Sequence, residues 1–222
     1  MRIPYSPGFG GRNRRRSGLS LLLGASALAC LGFAPANATT LAGKSLSDLA
    51  KGSELIFEGQ AVTSVVEALP NGQGAQTCVS FKIAEIVAGA HPGSTIRLCF
   101  FGGMLGGQGF GVSGMRYPAV GEHGIYLVES TSQPLINPLI GWDQGRFLVA
   151  KDPATGTLRM TTADHRRIVG LAPEAAKPTP ADGQIVSPDA AAGGVMSDDG
   201  SNLSDAVSRE DFIGRLRSYR EH

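Results

Sequence analysis

Thr77-Cys78-Val79-Ser80-Phe81-Lys82-Ile83 decides the fold, because its side chains alternate without a break. Val79, Phe81 and Ile83 fall on one face of an extended chain, and Cys78, Ser80 and Lys82 fall on the other. Thr95-Ile96-Arg97-Leu98-Cys99-Phe100 repeats the pattern, with Ile96, Leu98 and Phe100 opposed to Arg97 and Cys99. Each cysteine therefore sits on the polar side of its strand, an odd place for a free thiol. Pairing Cys78 with Cys99 sets Val79 against Leu98 and Phe81 against Ile96, so one antiparallel register serves bridge and core together. The midpoint of that register falls near Ala88, just before the turn residues Gly89 to Gly93. A bulge or a curling strand must absorb the offset.

Working outward, Leu55 to Ala68 reads as a long strand, with Gly59 a place for a bend or bulge. Asn71-Gly72-Gln73-Gly74 turns the chain into the first cysteine strand, roughly Gln76 to Val87, and the second runs from Ser94 to Phe101. Further strands are expected at 124–129, 146–150 and 157–161. Ser45 to Lys51 forms a short helix with Leu46, Leu49 and Ala50 inward and Gly52 as its stop. Ala172 to Asn202 is rich in Ala, Pro, Gly and Asp, and 172–207 is expected to be flexible. Ser208-Arg209-Glu210-Asp211 resembles a capping box, and Phe212, Ile213, Leu216 and Tyr219 follow at helical spacing over 208–222. Docking of that helix back on the sheet is the simplest arrangement; the alternative is a partner-binding helix on a tether. Many short strands between Gly/Pro turns, with little helix, give a mainly β fold: a small closed or partly open antiparallel barrel of OB-like type over 39–171.

The first 38 residues read as a cleavable signal peptide. Arg12, Arg14, Arg15 and Arg16 precede an apolar run from Leu19 to Phe33, and Ala36-Asn37-Ala38 supplies the small-residue exit before Thr39. The run is shorter than the roughly 20 apolar residues of a membrane span. Ala27-Leu28-Ala29-Cys30 offers a lesser alternative, lipid anchoring through Cys30, while Arg15-Arg16 lacks the apolar pair of a twin-arginine signal. Cleavage places the protein in the periplasm or the medium. The whole chain has 20 basic and 19 acidic residues. Arg2, Arg12, Arg14, Arg15 and Arg16 leave with the leader, so 15 cations face 19 acids and the mature net charge is −4. No basic patch suited to nucleic acid remains, and no later segment is long enough to span a bilayer. Two cysteines remain, and in an oxidising compartment they are most simply a disulfide.

Glu54-Leu55-Ile56-Phe57-Glu58-Gly59, the run Val79 to Gly89, Gly102-Gly103, Pro118-Ala119-Val120-Gly121-Glu122 before Ile125-Tyr126-Leu127-Val128, and Gln144 to Val149 stand in a suggestive order. With the terminal helix, that order resembles a family of exported bacterial proteins with an OB-like or netrin-like β-barrel. The resemblance covers 54–150 and 208–219. It implies a barrel and no reaction, and the cysteine pair does not come from it. Netrin-like barrels also suggest a protease-inhibitor role, in which an N-terminal cysteine meets the target's metal; here the mature chain starts at Thr39.

Familiar chemistries find poor footing. Gly109-Phe110-Gly111-Val112-Ser113-Gly114 matches a dinucleotide fingerprint literally, but Met115-Arg116-Tyr117-Pro118 follows where a helix must begin. Gly111-Val112-Ser113-Gly114-Met115 is one glycine short of a nucleophile elbow, and His123 or His165 with Asp143 or Asp164 shows no triad spacing. His91, His123, His165 and His222 lack zinc-ligand spacing, so no metal or cofactor is expected. Asp198-Asp199-Gly200-Ser201-Asn202 lacks a calcium loop's alternation and distant glutamate. The glycine-rich stretch Gly102 to Tyr117 carries Met104, Leu105, Phe110, Met115 and Tyr117, and Trp142 lies in the other long loop, 133–144. These loops either form a binding edge or fold over the core as its lid. The expected function is a non-catalytic binding or interaction module with an envelope or extracellular protein as partner; the protease-inhibitor-like barrel is the alternative, and a hydrolase comes last.

Overall fold

The computed structural model describes residues 41–172, 185–186 and 190–221. Cys30, Ala36, Ala38 and Thr39 lie outside them. The elements begin with β1 (Leu41–Ala42), α1 (Leu46–Gly52), β2 (Leu55–Ala68), β3 (Ala75–Ala88) and β4 (Thr95–Phe101). A small hairpin follows, β5 (Gly103–Leu105) and β6 (Gln108–Phe110), then β7 (His123–Val128), β8 (Arg146–Lys151) and β9 (Leu158–Thr162). Last come β10 (Arg167–Leu171), β11 (Ile185–Val186), β12 (Val195–Asp198) and α2 (Arg209–Glu221). Ser45 caps α1 by accepting from the Asp48 N–H at 3.0 Å, and Ser208 caps α2 by accepting from Asp211 at 3.1 Å.

Eight strands form one antiparallel sheet in the order β12-β10-β9-β8-β7-β2-β3-β4. The cysteine strands pair as their alternation predicts: Cys78 faces Cys99, Val79 faces Leu98 and Phe81 faces Ile96. Cys78 and Cys99 are joined in a disulfide with their Cα atoms 4.0 Å apart, which suits an oxidising, extracytoplasmic setting. The offset at the turn is absorbed because β3 runs on to Ala88 against β2 while β4 starts only at Thr95. Removing the bridge by Cys78→Ser with Cys99→Ser is expected to lower stability by about 3 kcal/mol, the loop-closure value for a link spanning 21 residues. An earlier midpoint in a urea titration measures it.

The expected barrel is not closed; the sheet is open, with β4 and β12 at its two edges. Side-chain faces explain why. Phe57, Tyr126 and Val128 point to one side of the central strands and share a core with Val79, Phe81, Leu98 and Phe100 of β3 and β4. Phe81 reaches both rings, with centroids 5.6 Å from Phe57 and 4.6 Å from Tyr126. Bulges between Glu58/Gly59 and Ala61/Thr63 bend the long β2–β3 pair toward this core. A Cβ on Gly59 would lie 2.7 Å from the Lys82 carbonyl, so the bulge needs glycine there. Ile56, Ile125 and Leu127 point to the other side, where Phe147, Met160 and Ile168 of β8–β10 meet Leu49 of α1 and Phe212, Ile213 and Leu216 of α2. The two ends of the sheet thus turn their apolar sides to opposite faces, and two helices cover the face that a closing strand would need. Of the span expected to be flexible, the described part contains β11, β12 and a 3-10 turn at Leu203–Asp205. Strand β12 is drawn onto β10, where Arg167 donates two hydrogen bonds of 2.8 Å to Asp198. Among the described residues no helix is long and apolar enough to cross a membrane.

Candidate binding site

The two loops singled out from sequence lie at different parts of the sheet: the glycine-rich one follows β4, whereas the turn that carries Trp142 packs against α1, β7 and β8. Met104, Leu105 and Phe110 belong to the β5–β6 hairpin, in which Gly103 faces Phe110 and Met104 faces Gly109. Gly102 anchors it with φ +105: its N–H donates to Ala75 at 2.7 Å and its carbonyl accepts from the Thr77 hydroxyl at 2.8 Å. A Cβ there would strike the Tyr117 hydroxyl at 2.5 Å, which excludes other residues. Met115 and Tyr117 pack against the Phe57–Phe100 core, and Tyr117 donates to the Phe101 carbonyl at 3.1 Å. These two act as part of a cover, whereas Met104 is 66 % exposed. Trp142 sits in a 3-10 turn, Trp142–Gly145, at φ +60. The loops are joined through Arg116 and Asp143, 2.6 Å apart.

Between β4 and the loop 130–138 lies a cavity of about 450 Å³, which the sequence did not reveal. Leu69, Leu98, Phe101, Pro134, Leu135 and Ile136 supply its apolar wall, with the disulfide's Cys99 and Arg97 beside them. Arg97, Cys99 and Phe101 come from one side of β4 and Leu98 from the other, so the cavity straddles the open strand edge instead of lying on a face. The Phe101 N–H donates to the Ile136 carbonyl at 2.8 Å, which pins the loop to the end of that edge.

Two buried charge clusters brace the surroundings. Glu58, with a side chain only 3 % exposed, accepts from His123 at 2.8 Å and from Arg209 Nε at 2.8 Å. Arg209 also binds Glu85, which takes Arg217 at 2.6 Å, so α2 is latched to β2 and β3 by ions as well as by its apolar face. Burial pushes the Glu58 carboxyl up, but the His123 and Arg209 hydrogen bonds outweigh it and bring it down to about 2. Arg146 reaches Glu122 at 2.5 Å and Asp143 at 3.1 Å, and Tyr126 donates to Glu122 at 3.0 Å. Burial first and the adjacent Glu122 second push the Tyr126 hydroxyl far up, so it stays a donor.

No protein family, curated protein or solved structure matches the chain.

The catalytic motifs meet an unfavourable geometry. No helix follows Gly114, so the glycine string presents no helix N-terminus to a pyrophosphate, and Ser113 stands on no strand–turn–helix elbow. Among the described residues, His123 hydrogen-bonds only to Glu58, an acid–imidazole pair without a nucleophile. Glu67, Cys78 and Cys99 come close enough for a metal, but the thiols are consumed in the bridge and Glu67 takes Arg97 at 2.6 Å and Gln76 at 2.7 Å. Asp198 accepts from Arg167 and from the Gly200 N–H.

Proposed function

We propose that this is an exported, non-catalytic binding module of the cell envelope, and that the slot between β4 and loop 130–138 is its binding surface. The carrying observation is the cavity of about 450 Å³ that opens on an unpaired sheet edge stiffened by the disulfide. Ligand sites are concave, mostly apolar and fitted with few polar groups, and this slot has that make-up. Rigid strands on one wall and an anchored loop on the other favour recognition without large rearrangement.

Pro134 lines the slot and is exposed, so Pro134→Trp fills the cavity without touching the core. The exported protein, immobilised and exposed to its own envelope and medium fractions, should retain a specific species. With Pro134→Trp that retention is expected to fall about tenfold or more, the effect of blocking an interface centre, at unchanged melting temperature. Equal retention by the variant would remove the slot from the account.

A further inference from the structure

Resting on the slot as binding surface, we infer that its ligand is an extended acidic–apolar polypeptide segment that adds to β4 as a ninth strand.

The backbone of β4 fixes what the edge can recognise. Gly102 N–H points inward to Ala75, whereas the Phe101 N–H points outward to Ile136. Strand alternation then turns the N–H and C=O groups of Cys99, Arg97 and Thr95 outward as well. Both ends of this edge are stopped. Ile136 closes it at Phe101, and the His91 ring nitrogen takes the Thr95 carbonyl at 2.9 Å. Between the stops, no hydrogen bond among the described residues engages the outward groups of Arg97 or Cys99. Evenly alternating donors and acceptors match an extended backbone and little else, which is how strand addition recognises its ligand.

Side chains specify the rest. Among the described residues, Arg97 is the only ionisable one lining the slot. It reaches Glu67 through Nη2 alone, in a pair exposed on both sides, so Nε and Nη1 can take a second carboxylate. The ligand residue opposite Arg97 is therefore acidic, and its neighbours, which meet the slot's apolar lining of Leu98 and Leu135, are apolar. The same charge disfavours a second copy of this chain: two β4 edges paired antiparallel about Leu98 would set each Arg97 opposite the other copy's Cys99 and make the two arginines diagonal neighbours on one face.

A phage-displayed library of linear octapeptides, selected on the exported protein, supplies the probe. Enriched peptides should alternate apolar residues with at least one acid, and Arg97→Glu should weaken them about tenfold or more. N-methylation of the synthesised peptide at alternate positions is the decisive step. Methyl groups on the parity that faces β4 should cost about tenfold or more, while the other parity changes affinity by less than about twofold. Equal tolerance of both parities would overturn strand addition yet leave the slot as a side-chain groove. Peptides that bind Pro134→Trp as tightly as the parent, or no enrichment over that variant, would overturn the slot itself. A concentration-dependent dimer displaced by the peptide would give the edge to a second copy and overturn the assignment to a partner.

Discussion

Arg209→Ala is expected to destabilise the protein by about 3–5 kcal/mol, because it leaves the buried Glu58 carboxylate with His123 alone in place of an arginine. An exposed ion pair of this kind would matter little. Here the carboxylate lies between β2 and α2, and water cannot replace the guanidinium without reopening that packing. Thermal melting by circular dichroism should show a drop on the order of 10 °C. Glu58→Gln combined with Arg209→Met should lose much less than Arg209→Ala alone, since it removes the stranded charge. The same carboxyl shapes the acid limb of stability. Its folded value of about 2 lies below the ordinary 4.5, so its contribution is complete above about pH 4.5. That contribution shrinks as pH falls toward 2 and is absent below it, amounting to at most about 3 kcal/mol. Glu58→Gln should flatten stability between those limits, as urea titrations at several pH values would reveal.

Arg146→Ala is the second large effect, again about 3–5 kcal/mol. Its guanidinium lies between Glu122 and Asp143, whose side chains are 11 % and 5 % exposed. Removing it leaves Glu122 without a cation and Asp143 with Arg116 alone. Burial opposes the Arg146 charge, but Glu122 and Asp143 prevail and raise its affinity for the proton. The network also holds Arg116 through Asp143. Amides of 102–117 should then exchange faster with deuterium in Arg146→Ala, whereas those of α2 keep their protection.

Much of the sheet is legible in the sequence, and the reasons are local. Alternation in Thr77–Ile83 and Thr95–Phe100 sets the register through the disulfide, and Ser208 with Asp211 marks the start of α2. What is not legible depends on partners far along the chain. Arg167–Leu171 is short and interrupted by Gly170, whose missing Cβ leaves room for Met196 Cε at 2.4 Å from its ideal position. Val195–Asp198 becomes a strand only because β10 offers it a pairing edge and an arginine. Alternation shows that Ile56 and Phe57 face opposite ways, but not that helices would cover one face and leave the sheet open. Of the glycine-rich loop, Met104 is exposed, while Met115 and Tyr117 cover the core, a division its sequence does not show. The slot is not legible, because Ser130 to Pro138 has no pattern of its own and matters through the bond from Phe101 to Ile136.

Placing a photo-crosslinking amino acid at Ile136 tests the slot most directly. Ile136 is 56 % exposed on the slot wall, and Val169 on β10, 40 % exposed and at the other end of the sheet, is its control. Irradiation of cells exporting each variant should yield a discrete adduct at 136, abolished by Pro134→Trp, and none at 169. Adducts of equal strength at both positions, or none at 136, would contradict a binding surface at the β4 edge.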